Sequence, residues 1–121
     1  MKPFPLLLCL MSFLGCTTAD IRSVEADTFE QVIEDTTVVR LDVRTANEYA
    51  QGHIPGALLI DVTQADFMQK AEQLLPKDKT IALYCRSGRR SKTAAQQLAQ
   101  HGYQVVELNT GFNSWKGEIE R

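Results

Sequence analysis

Short apolar, β-favouring runs alternate along this chain with longer amphipathic stretches, which predicts an α/β fold: a mainly parallel central sheet with helices on both faces. Three observations carry that expectation. Val38 to Val43, Thr80 to Tyr84 and Gln104 to Leu108 read as strands, the first of them buried. The stretches between them place apolar residues at helical spacing, as crossover connections of a parallel sheet require. At 121 residues the chain has room for one hydrophobic core, not two.

Taken in order, Ile21 to Val24 forms a first edge strand, and Asp27 or Thr28 caps a helix carrying Phe29, Val32 and Ile33. After the strand Val38 to Val43, Thr45-Ala46-Asn47-Glu48 has the form of a capping box. It opens a short helix that ends near Gly52. The turn His53-Ile54-Pro55-Gly56 leads into a strand from Ala57 to Ile60. Phe67, Ala71, Leu74 and Leu75 then sit at helical spacing, and Pro76 to Lys79 break that helix. Thr80 to Tyr84 precedes a loop, Ser91 to His101 is a helix closed by Gly102, and Gln104 to Leu108 is the last strand.

Met1 to about residue 15 carries one lysine and an apolar run from Leu6 to Leu14, and reads as an export signal. The run is about half of the roughly 20 residues a membrane-crossing helix needs. Residues 16–20 are then a short spacer and residues 21–121 the folded domain. Leu14-Gly15-Cys16 resembles the lipobox of bacterial lipoproteins, which implies lipidation at Cys16 and a periplasmic, membrane-anchored protein. Phe13 stands where that motif usually has leucine, and Thr17-Thr18-Ala19 offers a site for ordinary signal cleavage instead.

A formal net charge of −2 argues against a polyanion-binding surface, so nucleic acid is not an expected partner. The only membrane contact expected is through the Cys16 anchor. Three cysteines and two histidines are scattered without zinc-ligand spacing, so no metal is expected, and no cofactor. Removal of the signal discards Cys9 and lipidation consumes Cys16. Cys85 is left as a single thiol in an oxidising compartment, where reactivity explains it better than a disulfide does.

The surroundings of Cys85 make it the candidate nucleophile. A β-favouring run ends at Tyr84-Cys85 and passes into Arg86-Ser87-Gly88-Arg89-Arg90, a small cationic loop in front of a helix. Gly88 permits the backbone conformation of a tight cradle, whose N–H groups converge on the sulfur. The helix start and the arginines favour thiolate over thiol and attract an anion. Asp42 and Arg44 end another strand, so they share the crevice beyond the carboxyl ends of the sheet.

DVRTANEYAQGHIPGALLI, CRSGRRS and GFNSWKGE together resemble the rhodanese family, in particular its small exported single-domain members. The resemblance implies a rhodanese-like three-layer domain and a thiosulfate sulfurtransferase whose Cys85 carries a persulfide. The loop Arg86, Ser87, Gly88, Arg89 and Arg90 would bind a small anionic sulfur donor, and cyanide or a thiol would accept the sulfur. Asp42 and Arg44 match the family's first motif, with Glu48 and His53 its continuation, residues that brace the fold and loop. Arg86 and Arg89 are read as attracting the donor, and Arg90 as turning inward to a carboxylate such as Asp42.

Other readings of the same loop remain open. A persulfide carrier without turnover, or a partner-binding domain of this type, would show the same residues. Cysteine phosphatases and arsenate reductases also use a cysteine-first loop closed by arginine, typically with five residues between the two. Cys85 and Arg90 enclose only Arg86 to Arg89, and Tyr84 replaces the histidine usual before a tyrosine phosphatase's cysteine. The oligomeric state is not legible in the sequence.

Overall fold

A computed structural model describes residues 20–121. The segment expected to be an export signal, and Cys16, lie outside the described residues. The elements run β1 (Asp20–Val24), α1 (Ala26–Ile33), β2 (Val39–Asp42), α2 (Ala46–Gln51), β3 (Leu58–Leu59), α3 (Phe67–Leu74), β4 (Ile81–Tyr84), α4 (Arg89–Gln100) and β5 (Gln104–Leu108), then a 3-10 turn at Phe112–Ser114. The sheet has five strands in the order β1-β5-β4-β2-β3. Each pairing is parallel.

The two-residue period of a strand divides the core into two layers. Leu41 of β2, Ile81 and Leu83 of β4 and Val105 of β5 face α3 and α4, where Phe67, Ala71, Ala94, Ala95 and Leu98 close over them. Their neighbours Ala82, Tyr84, Val106 and Leu108 face the other way, against Phe29 and Ile33 of α1, with Phe112 and Trp115 at the border. β4 is buried at all four positions, as a strand covered on both faces must be. Helices therefore lie on both faces of the sheet, as expected.

Four elements differ in detail from the sequence reading. α1 is capped at Glu25, so Asp27 and Thr28 lie inside its first turn and do not cap it, and α4 starts at Arg89, two residues before Ser91. β3 is only Leu58–Leu59, because its ladder has a single neighbour, β2, and Leu58 is open to solvent. Leu74 is 56% exposed although its spacing matched the stripe of α3. The helix ends there, and Leu75, in extended backbone, takes the buried place instead. The α2 capping box forms as read: Thr45 accepts from Glu48 N, and the Glu48 carboxylate accepts from Thr45 N at 3.0 Å.

Candidate functional site

β4 delivers Cys85 to the carboxyl edge of the sheet, on the face that Ile81 and Leu83 share, so its sulfur lies beneath the start of α4. Cys85 is fully buried. The chain turns back over it because Gly88 adopts φ +100°, a left-handed conformation. That turn aims Gly88 N–H at Sγ, 3.1 Å away. A Cβ on Gly88 would collide with the carbonyl oxygen of Asn109.

The loop is seated on the segment after β5. Phe112 N donates to Cys85 O at 2.8 Å and Asn113 N to Arg86 O at 3.0 Å. Gly111, at φ +70°, allows this approach, since a Cβ there would strike Arg86 O. In the closing segment Asn113 N holds the loop, while Ser114 closes the turn with both its backbone N, at 3.0 Å, and its Oγ, at 2.8 Å, donating to Gly111 O.

Burial of the sulfur pushes the Cys85 thiol up. Hydrogen bonds from the Ser91 side chain and backbone, and from the Gly88 and Ser87 backbone, outweigh that effect, so the thiol is held below its ordinary value. The neutral backbone supplies donors that no solvent rearrangement can remove. This arrangement favours a nucleophilic thiolate.

Arg90 departs from the sequence expectation. It does not reach Asp42 but pairs with Glu48, Nη1 to Oε1 at 2.8 Å and Nη2 to Oε2 at 2.9 Å. Asp42 is already engaged: Arg44 donates from its backbone N at 2.9 Å and from Nη2 at 2.7 Å. The same Nη2 reaches Gly52 O at 2.7 Å, and the guanidinium lies 4.4 Å from the centre of the Phe112 ring. Burial would favour a neutral Arg44, but the hydrogen bond and charge of Asp42 more than reverse this. The Arg90 guanidinium, helped by the α2 capping bonds, holds the Glu48 carboxyl at about 2.

These two pairs give the site its walls. The Asp42–Arg44 pair fixes the end of β2 against the Phe112 segment. The Glu48–Arg90 pair ties the first turn of α2 to the first turn of α4. Arg86, Ser87 and Arg89 remain exposed on the rim. A cleft of about 220 Å³ opens beside the loop, lined by Arg44, Glu48, Gln51, Arg86, Phe112 and Asn113. A larger hollow of about 370 Å³ lies at the amino end of the sheet among Asp20, Arg22, Asp35 and Thr80, far from any described thiol.

His53 is a turn residue, with Nδ1 2.8 Å from Tyr49 O and its ring stacked 3.6 Å from that of Tyr49. Phe112 stacks on Tyr84 and Trp115 meets Phe29 edge-on, so both are anchors of the core border. Two buried polar groups escaped the sequence reading, Ser91, fully buried in the first turn of α4, and Glu107. Glu107, 1% exposed, lies beside the loop under α4. Its signal was a charge inside the apolar run Val105-Val106-Glu107-Leu108.

Residues 25–118 match the family of the rhodanese-like domain, and the chain belongs to that family. It is 35% identical over 97 residues to a sulfurtransferase of Allochromatium vinosum, covering 78% of this chain and 88% of that one. It is 30% identical to the thiosulfate sulfurtransferase GlpE of Coxiella burnetii, over 71% of this chain and 78% of the relative. Among solved structures, a rhodanese-like domain protein of Staphylococcus aureus superposes with a TM-score of 0.70 at 29% identity, covering 82% of this chain and 96% of that one. A Staphylococcus saprophyticus protein gives 0.72 at 27% identity, over 83% and 99%.

Proposed function

We propose that this protein is a thiosulfate sulfurtransferase that carries sulfur on Cys85. The observation behind the proposal is a buried thiol at a strand end that faces a converging set of backbone N–H groups and is held below its ordinary pKa. The Cys85 thiolate attacks the outer sulfur of thiosulfate. An S–S bond forms to Sγ, the S–S bond of thiosulfate breaks, and sulfite leaves with the electron pair. A cyanide ion or thiolate then attacks the outer sulfur of the persulfide, and the Cys85 thiolate is the leaving group. Loop N–H groups stabilise charge on the sulfur, and the rim arginines draw the dianionic donor inward.

Mass measurement of the intact protein tests the proposal. Thiosulfate is expected to add one sulfur atom, cyanide to remove it, and Cys85→Ser to abolish both steps. A serine variant that still acquires cyanide-labile sulfur would overturn the assignment. Arg86→Ala and Arg89→Ala are expected to raise KM for thiosulfate by about threefold to tenfold with less change in kcat, because both side chains act on approach. An equal fall in kcat with KM unchanged would place them in the transition state instead.

We also propose that the protein is exported and anchored in the membrane through acyl chains on Cys16. The support is the apolar run before Leu14-Gly15-Cys16. In a Gram-negative host, full-length protein is expected to take up labelled fatty acid and to sediment with membranes, and Cys16→Ser to lose both properties. Soluble periplasmic protein cleaved after Ala19 would show ordinary secretion in its place.

A further inference from the structure

The first turn of α4 carries the cations Arg89, Arg90 and Lys92 and no acidic residue, at the positive end of its own dipole. Arg90 is offset by Glu48 of α2. Lys92 is offset by Glu107 of β5: its Nζ lies 3.1 Å from Oε2 of a carboxylate that is almost wholly buried. Ser23 Oγ of β1 donates to Glu107 Oε1 at 2.6 Å, and Ser91 Oγ lies 2.6 Å from Oε2. The anchor for the ammonium is therefore built into the sheet, although the Lys92 side chain itself is half open to solvent.

From that anchor Nζ reaches the seam between the sulfur loop and the segment after β5. It donates to Gly88 O at 3.2 Å, to Asn109 Oδ1 at 2.9 Å and to Asn109 O at 3.4 Å. Gly88 and Asn109 meet so closely there that no Cβ fits between them. The cation offsets the crowding of oxygen at this seam, where a carboxylate, a side-chain amide and two peptide carbonyls converge. Gly88 is also the N-cap of α4, whose carbonyl takes the first helical bond. Lys92 is thus a second hold on the residue whose N–H lies 3.1 Å from Cys85 Sγ.

We propose that Lys92 is a positioning residue for the Cys85 thiolate: its ammonium, held by Glu107 and Asn109, pins the Gly88 carbonyl and so keeps the Gly88 N–H directed at the sulfur. It acts through the loop backbone, whereas Arg86 and Arg89 act as charges that draw in the donor. The proposal rests on Cys85 as the reacting thiol, and alkylation of that thiol tests it whether or not the protein transfers sulfur.

Iodoacetamide alkylation of the full chain would be followed against pH at the Cys85 peptide by mass spectrometry, for the parent, Lys92→Met and Lys92→Arg. Lys92→Met keeps the length of the side chain and loses the ammonium. Its alkylation midpoint is expected to rise by about half a unit to one unit, part of the effect of one hydrogen bond to a charged group. Sulfur loading at saturating thiosulfate is expected to slow by about tenfold, less than outright removal of a donor would cause, with KM changed by less than about twofold. Lys92→Arg brings the same charge and N–H donors to the seam and is expected to restore most of both.

The midpoint shift is expected to persist from about 0.1 M to about 1 M salt, over which the Debye length falls from about 10 to about 3 Å. Arg90 with Glu48, Asp61 and Glu107 are the other charged groups of the site, and they are common to the parent and both variants. A shift that disappears at high salt would reduce Lys92 to a distant charge and overturn the proposal. So would a raised KM with loading at saturation unchanged, which would make Lys92 a donor-attracting residue. A parent-like midpoint in Lys92→Met, with only a lower melting temperature, would also overturn it and leave Lys92 a structural residue. If thiosulfate loads no sulfur on the parent while the midpoint shift persists, the sulfurtransferase reading fails and the positioning of the thiol stands.

Discussion

Replacing Gly88 with alanine is expected to lower the rate of sulfur loading on Cys85 by about a hundredfold or more, the scale seen when one preorganised donor is removed from a reacting anion. The residue holds φ +100°, and its N–H lies 3.1 Å from the sulfur. Strain at φ alone costs about 1–3 kcal/mol for a residue with a side chain. The greater obstacle is the backbone carbonyl of Asn109 facing the new Cβ. Asn109 cannot retreat easily, because its own N–H is tied to Val24 O at 2.8 Å. The loop must lift instead, which withdraws the Gly88 N–H and loosens the seat on Phe112. Single-turnover loading and a thermal melt check this together. Parent-like loading and melting would mean that the Gly88 conformation is not what holds the cradle closed.

Much of the fold was readable because its signals are local. Capping at Thr45 and Glu48 depends on residues three apart, and strand ends depend on where β-favouring runs meet glycine or charge. The place of Cys85 follows from the same reasoning, since a parallel strand must deliver its last residue to the crevice. Partner choice between distant charges is different. Arg90 had more than one carboxylate within the same motif group, and nothing in the spacing says that Arg44 fills Asp42 first. Only the approach of the first turn of α4 to that of α2 settles that Glu48 is the partner. Glu107 was missed for a related reason: a charge in a strand is ordinarily solvated, and its burial depends on Ser23 and Ser91 arriving from β1 and α4.

Two ion pairs therefore divide the labour around the loop. Asp42 and Arg44 are almost wholly buried and lie on one short segment, so their pair stiffens the end of β2. Glu48 and Arg90 are 42 residues apart in sequence and partly open to solvent, with side chains 20% and 29% exposed. Their pair sets the distance between two helix starts, and the sulfur cradle hangs from one of them. A substitution in the second pair should thus reach the chemistry without touching substrate.

Arg90→Ala is accordingly expected to destabilise the domain and to slow sulfur loading by about tenfold, through a loosened first turn of α4. The stability effect has a pH signature. Arg90 holds the Glu48 carboxyl at about 2 against its reference value of 4.5. A carboxyl depressed by folding contributes stability that is complete above about pH 4.5 and is lost as pH falls toward 2. The shift corresponds to about 3 kcal/mol as an upper limit, and solvent screening of a partly exposed pair reduces this to about 1–2 kcal/mol. Denaturant unfolding of the parent should show that loss between pH 4.5 and 2. Arg90→Ala should lie lower at pH 7 and converge on the parent at the acid end. Glu48→Gln should also lose the acid slope, while leaving Arg90 without its carboxylate. A constant offset between parent and Arg90→Ala across that range would show that the pair does not brace the loop electrostatically, and that Arg90 acts there through packing alone.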